Sequence, residues 1–257
     1  MTEPLLQVSG LSRSFGGVYA VDDVDLTVER GSTVGVIGPN GAGKSTLFNL
    51  VSGQLPAERG EIRLGGRRID RLSPHRRARL GIAIVFQGAR TFHGMSVLEN
   101  AMVGAHATTG AGFAAAALRL PRHRREERLI AERAREAVQR VGLEAWADRP
   151  AELLPLGQQR ALQVARALCG EPTLLLLDEP ASGLRAAERD RLADLIEQLR
   201  ADGLTIMLVE HDVAMVGRLA DRVTVLDLGK VIAEGTPDEI RTDPRVVTAY
   251  LGTEAAV

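Results

Sequence analysis

Eight consecutive residues, Gly38-Pro39-Asn40-Gly41-Ala42-Gly43-Lys44-Ser45, put glycines, a lysine and a hydroxyl at the spacing G-x-x-x-x-G-K-[ST] of a phosphate-binding loop. Glycine lacks Cβ and takes up positive φ, so successive backbone N–H groups can turn toward one anion. A helix opening behind them adds its positive end. Lys44 supplies a full charge for the β- and γ-phosphates of a nucleotide, and Ser45 a hydroxyl for the Mg²⁺ that accompanies them. A second place for chemistry is Asp178-Glu179, directly after Leu174-Leu175-Leu176-Leu177. A wholly apolar strand ending in two acids buries itself and delivers carboxylates to a cleft. Asp178 suits a metal shell, and Glu179, one residue further on, suits polarising a water for in-line attack on a γ-phosphate.

These groups need a scaffold, and the flanking residues predict one. Thr33–Ile37 reads as a buried strand, and Thr46-Leu47-Phe48-Asn49-Leu50-Val51 as a helix stopped by Gly53. Residues 1–37 alternate as strands do, with Val24, Leu26 and Val28 on one face and Asp23, Asp25 and Thr27 on the other, which predicts an antiparallel flank. Glu61–Leu64 before Gly65-Gly66 predicts a hairpin, Ser73-Pro74 a short helix capped by the serine side chain, and Ile82–Phe86 a strand. After Gln87 the spacing turns helical until about residue 170, which predicts an inserted helical subdomain. Ser96-Val97-Leu98-Glu99 has the capping-box pattern. Ala107–Phe113 is small and flexible in composition. Between 124 and 141, Leu129, Ala134, Ala137, Val138 and Val141 mark an inner face, with Glu132/Arg135 and Glu136/Arg140 as outer pairs. From residue 173 strands and helices alternate: Leu174–Leu177, Ala186–Ala201, Thr205–Val209, then a hairpin across Leu228-Gly229 and a helix capped by Thr236-Pro237-Asp238-Glu239. The fold class is α/β with a mixed, mostly parallel sheet. The core is 1–87 with 171–257, the helical part about 88–170, all within one domain.

Composition sets outer limits. With 257 residues, 45% hydrophobic and 25% charged, the chain can build its own core without staples. A formal net charge of −1 offers no basic excess for a polyphosphate backbone, so no nucleic acid partner is expected. The lone Cys169, in the apolar stretch Ala165–Cys169, reads as a buried small hydrophobe. The cluster Arg119, Arg122, His123, Arg124, Arg125, Arg128 reads first as a solvated helix entry, with anionic lipid head groups as the alternative. Met1-Thr2-Glu3-Pro4 lacks signal-peptide character, and no apolar run approaches the ~20 residues that cross a bilayer, so a cytosolic chain is expected.

Six motifs in order make nearly the whole chain resemble the ATP-binding subunit of an ABC transporter, a P-loop NTPase of the ABC ATPase type. The resemblance implies that Phe15 stacks on adenine, that residues 38–46 through Thr46 hold the phosphates, and that Ser45, Gln87 and Asp178 surround Mg²⁺. It implies catalytic roles for Glu179, His211 and Gln87, the last also meeting the membrane subunit. Leu154-Pro155-Leu156-Gly157-Gln158-Gln159-Arg160 is similar to the signature L-S-G-G-Q at Leu154, Gly157 and Gln158. In the family this signature heads a helix that completes the ATP site of the opposite subunit. Pro155 supplies neither the serine hydroxyl nor a backbone N–H there. Ser182-Gly183-Leu184-Arg185 carries arginine where the family's S-A-L-D loop has an acid.

The G-Q-Q-R variant, the helical stretch after Gln87 and the tail from Gly235 through Gly252 are similar to one branch, the LivG-type subunits of branched-chain amino acid importers. That branch implies ATP hydrolysis coupled to import and a sister ATPase, in a heterodimer or else a homodimer. It further implies two membrane-spanning permease subunits, an extracytoplasmic solute-binding protein, and a place at the cytoplasmic face of the plasma membrane. Leucine, another amino acid, urea or a short amide all stay open as solute. Two alternatives stand beside this reading: a soluble ABC ATPase outside transport, and a nucleotide-binding regulatory module with weak hydrolysis, the latter motivated by Pro155 and Arg185.

Overall fold

Apolar alternation early in the chain becomes an antiparallel sheet. In the computed structural model, which describes residues 3–88, 90–107 and 121–254, β1 (Leu6–Phe15) pairs with β2 (Val18–Val28). Val24, Leu26 and Val28 are buried, and Asp25 and Thr27 face out. After β3 (Thr33–Ile37) and α1 (Lys44–Ser52), β4 (Arg59–Leu64) joins the other edge of β1. Strand β5 (Arg67–Arg68) then returns across Gly65-Gly66, both at positive φ, as a two-residue hairpin requires.

The second sheet carries the site. Beyond α2 (Pro74–Ala78), β6 (Ile82–Val85), α3 (Val97–Met102), α4 (Pro121–Arg140) and α5 (Leu156–Leu168) come β7 (Leu174–Asp178), α6 (Ala186–Ala201), β8 (Thr205–Val209) and α7 (Val213–Leu219). The hairpin β9 (Arg222–Asp227) and β10 (Lys230–Gly235) precedes α8 (Pro237–Thr242) and α9 (Pro244–Glu254). The strand order is β10-β9-β3-β8-β7-β6, parallel throughout except for β10 along β9.

Strands without a polar face need cover on both sides, and here two different layers supply it. Val34, Val36, Leu174, Leu176, Met207 and Val209 face α1 and the antiparallel sheet. Leu175, Leu177, Ile206, Leu208, Val223 and Val225 face the helices. Because five strands run the same way, β6, β7, β8 and β3 release Gln87, Asp178-Glu179, Glu210-His211 and Gly38 at one edge. Helix α1 is anchored at its far end by the buried Arg77 guanidinium, which donates to the carbonyls of Leu50 (2.6 Å) and Val51 (2.7 Å).

Several local expectations change. Ser73 precedes Pro74 at the start of α2, but its side chain makes no cap hydrogen bond. Ser96 and Thr236 do, each as a full capping box with Glu99 and Glu239. On α4 the inner face holds Ile130, Ala134, Ala137 and Val138, whereas Leu129 is 46% exposed, since adjacent helical residues differ by about 100° in direction. Arg140 pairs with Asp202 at 2.6 Å rather than along its own helix, because α4 ends beside α6. Residues 108–113 and Arg119, with the side chains of Arg122, His123 and Arg124, lie outside the described residues. Among the described residues no helix is long and apolar enough to cross a membrane.

Candidate functional site

The phosphate loop is fixed by close backbone approaches. Gly38 has φ +151°, and a Cβ there would sit 2.0 Å from the Leu226 carbonyl oxygen. Gly43 has φ +101°, with the Ala20 carbonyl oxygen 2.0 Å from any added Cβ. Any side chain would therefore displace β9 or β2. The Gly229 N–H donates to Ala42 O at 3.0 Å, tying the loop to the β9–β10 turn. Gly43 caps α1 without a side-chain hydrogen bond, so the first-turn N–H groups, those of Ser45 and Thr46 included, stay open for an anion. Lys44 is buried, and its Nζ donates to Gly38 O at 2.7 Å and Pro39 O at 2.9 Å. Burial lowers its pKa, opposed by the negative charges of Glu179 and Asp178.

At the same edge, Asp178 is pushed up to about 6 by burial and by the nearby Glu179 and Glu210, with Lys44 pulling the other way. Glu179 follows at φ +45°, left-handed for a residue with a side chain, and its N–H donates to Val209 O at 2.8 Å. Gln87 Nε2 donates to Glu179 Oε2 at 2.6 Å, so β6 and β7 bring amide and acid into contact. His211 is 61% exposed, with Nδ1 3.9 Å from Glu179 Oε2 and 3.7 Å from Glu210 Oε2. Phe15, 47% exposed at the end of β1, lies under the Arg13 guanidinium at 5.1 Å.

The segment 154–159 sits elsewhere. Among the described residues no hydrogen bond joins it to 38–46. Pro155 is the N-cap of α5 and offers no side-chain cap. Gln159 turns back on its own chain, its Nε2 donating to Leu154 O at 2.8 Å. Leu154 is buried, Leu156 is exposed, and Gln158 Oε1 is buried without a hydrogen-bond partner. Gly157 lies at the α6 side chain of Glu188, 3.2 Å from an added Cβ.

The sequence pattern describing ABC transporters matches residues 21–182, from β2 to just past the paired acids. The chain belongs to the ABC transporter family. The pattern for the branched-chain amino acid ATP-binding cassette transporter matches residues 230–256, the span of β10, α8 and α9. The chain is 43% identical to the high-affinity branched-chain amino acid transport ATP-binding protein BraF of Pseudomonas aeruginosa, over 98% of this chain and 99% of that one. It is 41% identical to the corresponding protein LivG of Salmonella typhimurium, with the same coverage. An ATP-binding cassette of an ABC transporter in its ADP conformation superposes with a TM-score of 0.85 at 28% identity, covering 98% of this chain and 100% of that chain.

As an ABC ATPase this chain binds and hydrolyses ATP, on a P-loop core of mixed sheet with an antiparallel flank and a helical part. Two of its residues escaped sequence reasoning. Arg160, just past the signature stretch, donates to Gln87 O at 2.9 Å and to Ser182 O at 3.4 Å, so α5 pins the loop after β6. Glu210 is fully buried although it follows a strand as a lone acid. The signal for it was the same as for Asp178, an acid closing an unbroken buried strand.

Proposed function

We propose that this ABC ATPase powers import of branched-chain amino acids, acting at the cytoplasmic face of the plasma membrane. Its partners are a sister ATPase, two permease subunits and, through them, an extracytoplasmic solute-binding protein. The match of residues 230–256 to the branched-chain cassette pattern supports the solute class. The observation that carries the chemical reading is the shared sheet edge, where Gln87, Asp178, Glu179 and His211 meet the mouth of the phosphate loop.

In this reading residues 38–46 cradle the triphosphate, Lys44 exchanging its carbonyl partners for phosphate oxygens, while Phe15 stacks on adenine. The Ser45 hydroxyl, the Gln87 amide oxygen and the Asp178 carboxylate form a hard oxygen set that fits Mg²⁺. A cation held there would offset the burial and the negative neighbours that push the Asp178 carboxyl up. Bound there, Mg²⁺ would neutralise charge on the β- and γ-phosphates. Glu179 takes the attacking water's proton after release from Gln87, and His211 steadies the γ-phosphate side. ATP binding closes this subunit against its sister, and Gln87, linked to Glu179 and to Arg160, passes that closure with the neighbouring helices of 88–170 from the core of 1–87 and 171–257 to the permease. In this reading the segment of Leu154, Leu156, Gly157, Gln158 and Gln159 completes the sister's ATP site, and the site on this chain depends in turn on the sister's signature.

The test is Glu179→Gln in the assembled transporter. ATP binding should persist while turnover falls on the order of a thousandfold. Turnover within a factor of about two of the parent would remove Glu179 from the base role.

A further inference from the structure

Arg160, early in α5, stands where three segments meet. Its Nη1 donates to the Gln87 carbonyl at 2.9 Å and its Nη2 to the Ser182 carbonyl at 3.4 Å. Nη1 also donates at 3.2 Å to Oε1 of the buried Gln163, three residues on along the same helix, which aims the guanidinium. Both carbonyls belong to segments that carry the chemistry. Gln87 is itself the residue whose amide meets Glu179, and the Ser182 N–H donates to Glu179 O at 3.1 Å. The links close a ring that runs from Arg160 to Gln87, from Gln87 Nε2 to Glu179 Oε2 at 2.6 Å, along the turn to Ser182, and back to Arg160.

Within that ring the amide–acid bond is the link least able to hold itself. Gln87 is exposed, and water competes for both its amide and the carboxylate, so such a bond adds little on its own. Hydrogen bonds from an ionised donor are about twice as strong as neutral ones, and Arg160 makes them to main-chain oxygens on both sides of the pair. Fixing the two segments in advance lowers the entropy that the amide and the acid lose when they meet. While they stay together one oxygen of Glu179 is engaged, and the acid is not free to take a proton. Arg160 rides on α5, whereas Gln87 and Glu179 follow β6 and β7. A shift of that helix against the sheet therefore pulls on both guanidinium bonds at once.

Resting on the base role given above to Glu179, we propose that Arg160 is a positioning residue that keeps Gln87 on Glu179 and so holds the acid idle until α5 moves. A transporter without this clasp frees the acid more often and hydrolyses ATP with no solute to import.

Two measurements test this: ATP turnover of the assembled transporter with no solute present, and ATP affinity by calorimetry. Arg160→Met keeps an unbranched apolar stem and removes the fork. Basal kcat should rise about fivefold, with KM and ATP affinity within about twofold. A merely structural loss would lower turnover instead. In a Gln87→Ala background the same substitution should change turnover by less than about twofold, because no amide is left to release. Unchanged or lower basal turnover in folded Arg160→Met, or a rise of the same size without Gln87, would each overturn the proposal. Should Arg160→Met not fold, Arg160→Lys decides, since one ammonium does not span two carbonyls as the planar fork does. Its basal turnover should rise about twofold or more, and the parental rate would overturn the proposal. Glu179→Gln in the same assay separates the two levels. If it leaves turnover intact, the base role fails and the proposal with it. If it abolishes turnover while Arg160→Met does not raise it, only the role of Arg160 fails.

Discussion

Two helices of this protein, α1 and α5, open with no side-chain cap, and the contrast between their entrances separates what the chain does for itself from what it offers outward. At α1 the chain surrounds the entrance: Leu226 O crowds Gly38, Ala20 O crowds Gly43, and Lys44 bonds Gly38 and Pro39. At α5 the entrance is Pro155, Leu156 is exposed, and a Cβ added at Gly157 would first meet the side chain of Glu188. Open N–H groups are common to both. The loop before α1 is over-determined by its own fold, while at the entrance of α5 an exposed leucine and a glycine beside a flexible side chain leave room for change.

The largest effect expected from this contrast is on stability. Gly43→Ala would force a Cβ to 2.0 Å from a backbone oxygen at φ +101°, a clash no rotamer relieves. A loss of about 4 kcal/mol or more in urea unfolding is expected. Gly157→Ala meets the flexible Glu188 side chain at 3.2 Å and should cost under about 1 kcal/mol. Equal losses at the two glycines would erase the distinction. Next is Lys44→Ala, which removes the buried cation and should weaken ATP binding about a hundredfold by calorimetry, roughly 2.7 kcal/mol. Retained affinity would show that the backbone alone grips the phosphates.

How far these entrances could be read from sequence follows from how local their causes are. Leu174–Leu177 and Thr205–Val209 leave no polar face, so two-sided burial and the acids at their ends were legible, as was the loop after Thr33–Ile37. The Gln87–Glu179 bond joins residues 92 positions apart, and no local pattern encodes it. Glu210 closes its strand as Asp178 does, but its hydrogen bond from the Ala181 N–H, 29 positions away, is written in no local pattern. Leu129 and Ile130 are adjacent and equally apolar, so only the partner surface of α4 chooses Ile130. Ser73 had the right residue type for a cap, yet its hydroxyl does not reach the helix.

A smaller effect sharpens the contrast within α5 itself, whose far end is as enclosed as its entrance is open. Cys169 is fully buried, and burial pushes its thiol up to about 11 from the ordinary 9.0. The raised value means that the neutral thiol is favoured in the folded chain. This contribution is complete below the ordinary thiol value and is lost as pH rises through about 11. Iodoacetamide at pH 8 should leave the native chain unmodified and label it fully in denaturant. Cys169→Ser should cost about 1–2 kcal/mol by urea unfolding, since the hydroxyl is harder to bury than the thiol. Rapid native labelling would mean that this end of α5 opens as readily as the other.

The smallest stability effect belongs to Pro155→Ser, and its smallness is what makes it informative. A serine at φ −55°, ψ 157° already has N-cap geometry, and its hydroxyl could accept from a first-turn N–H, a gain of about 1 kcal/mol. Losing the proline ring frees the unfolded chain, a cost of about 0.4–1 kcal/mol. The two nearly cancel, so the isolated chain should melt within about 2 °C of the parent. The substitution also restores a hydroxyl and a backbone N–H where the sister's nucleotide would lie. In the assembled transporter ATP turnover should therefore rise while chain stability stays level. If stability rises instead and turnover does not, the entrance of α5 serves its own helix, and the division between inward-facing α1 and outward-facing α5 does not hold.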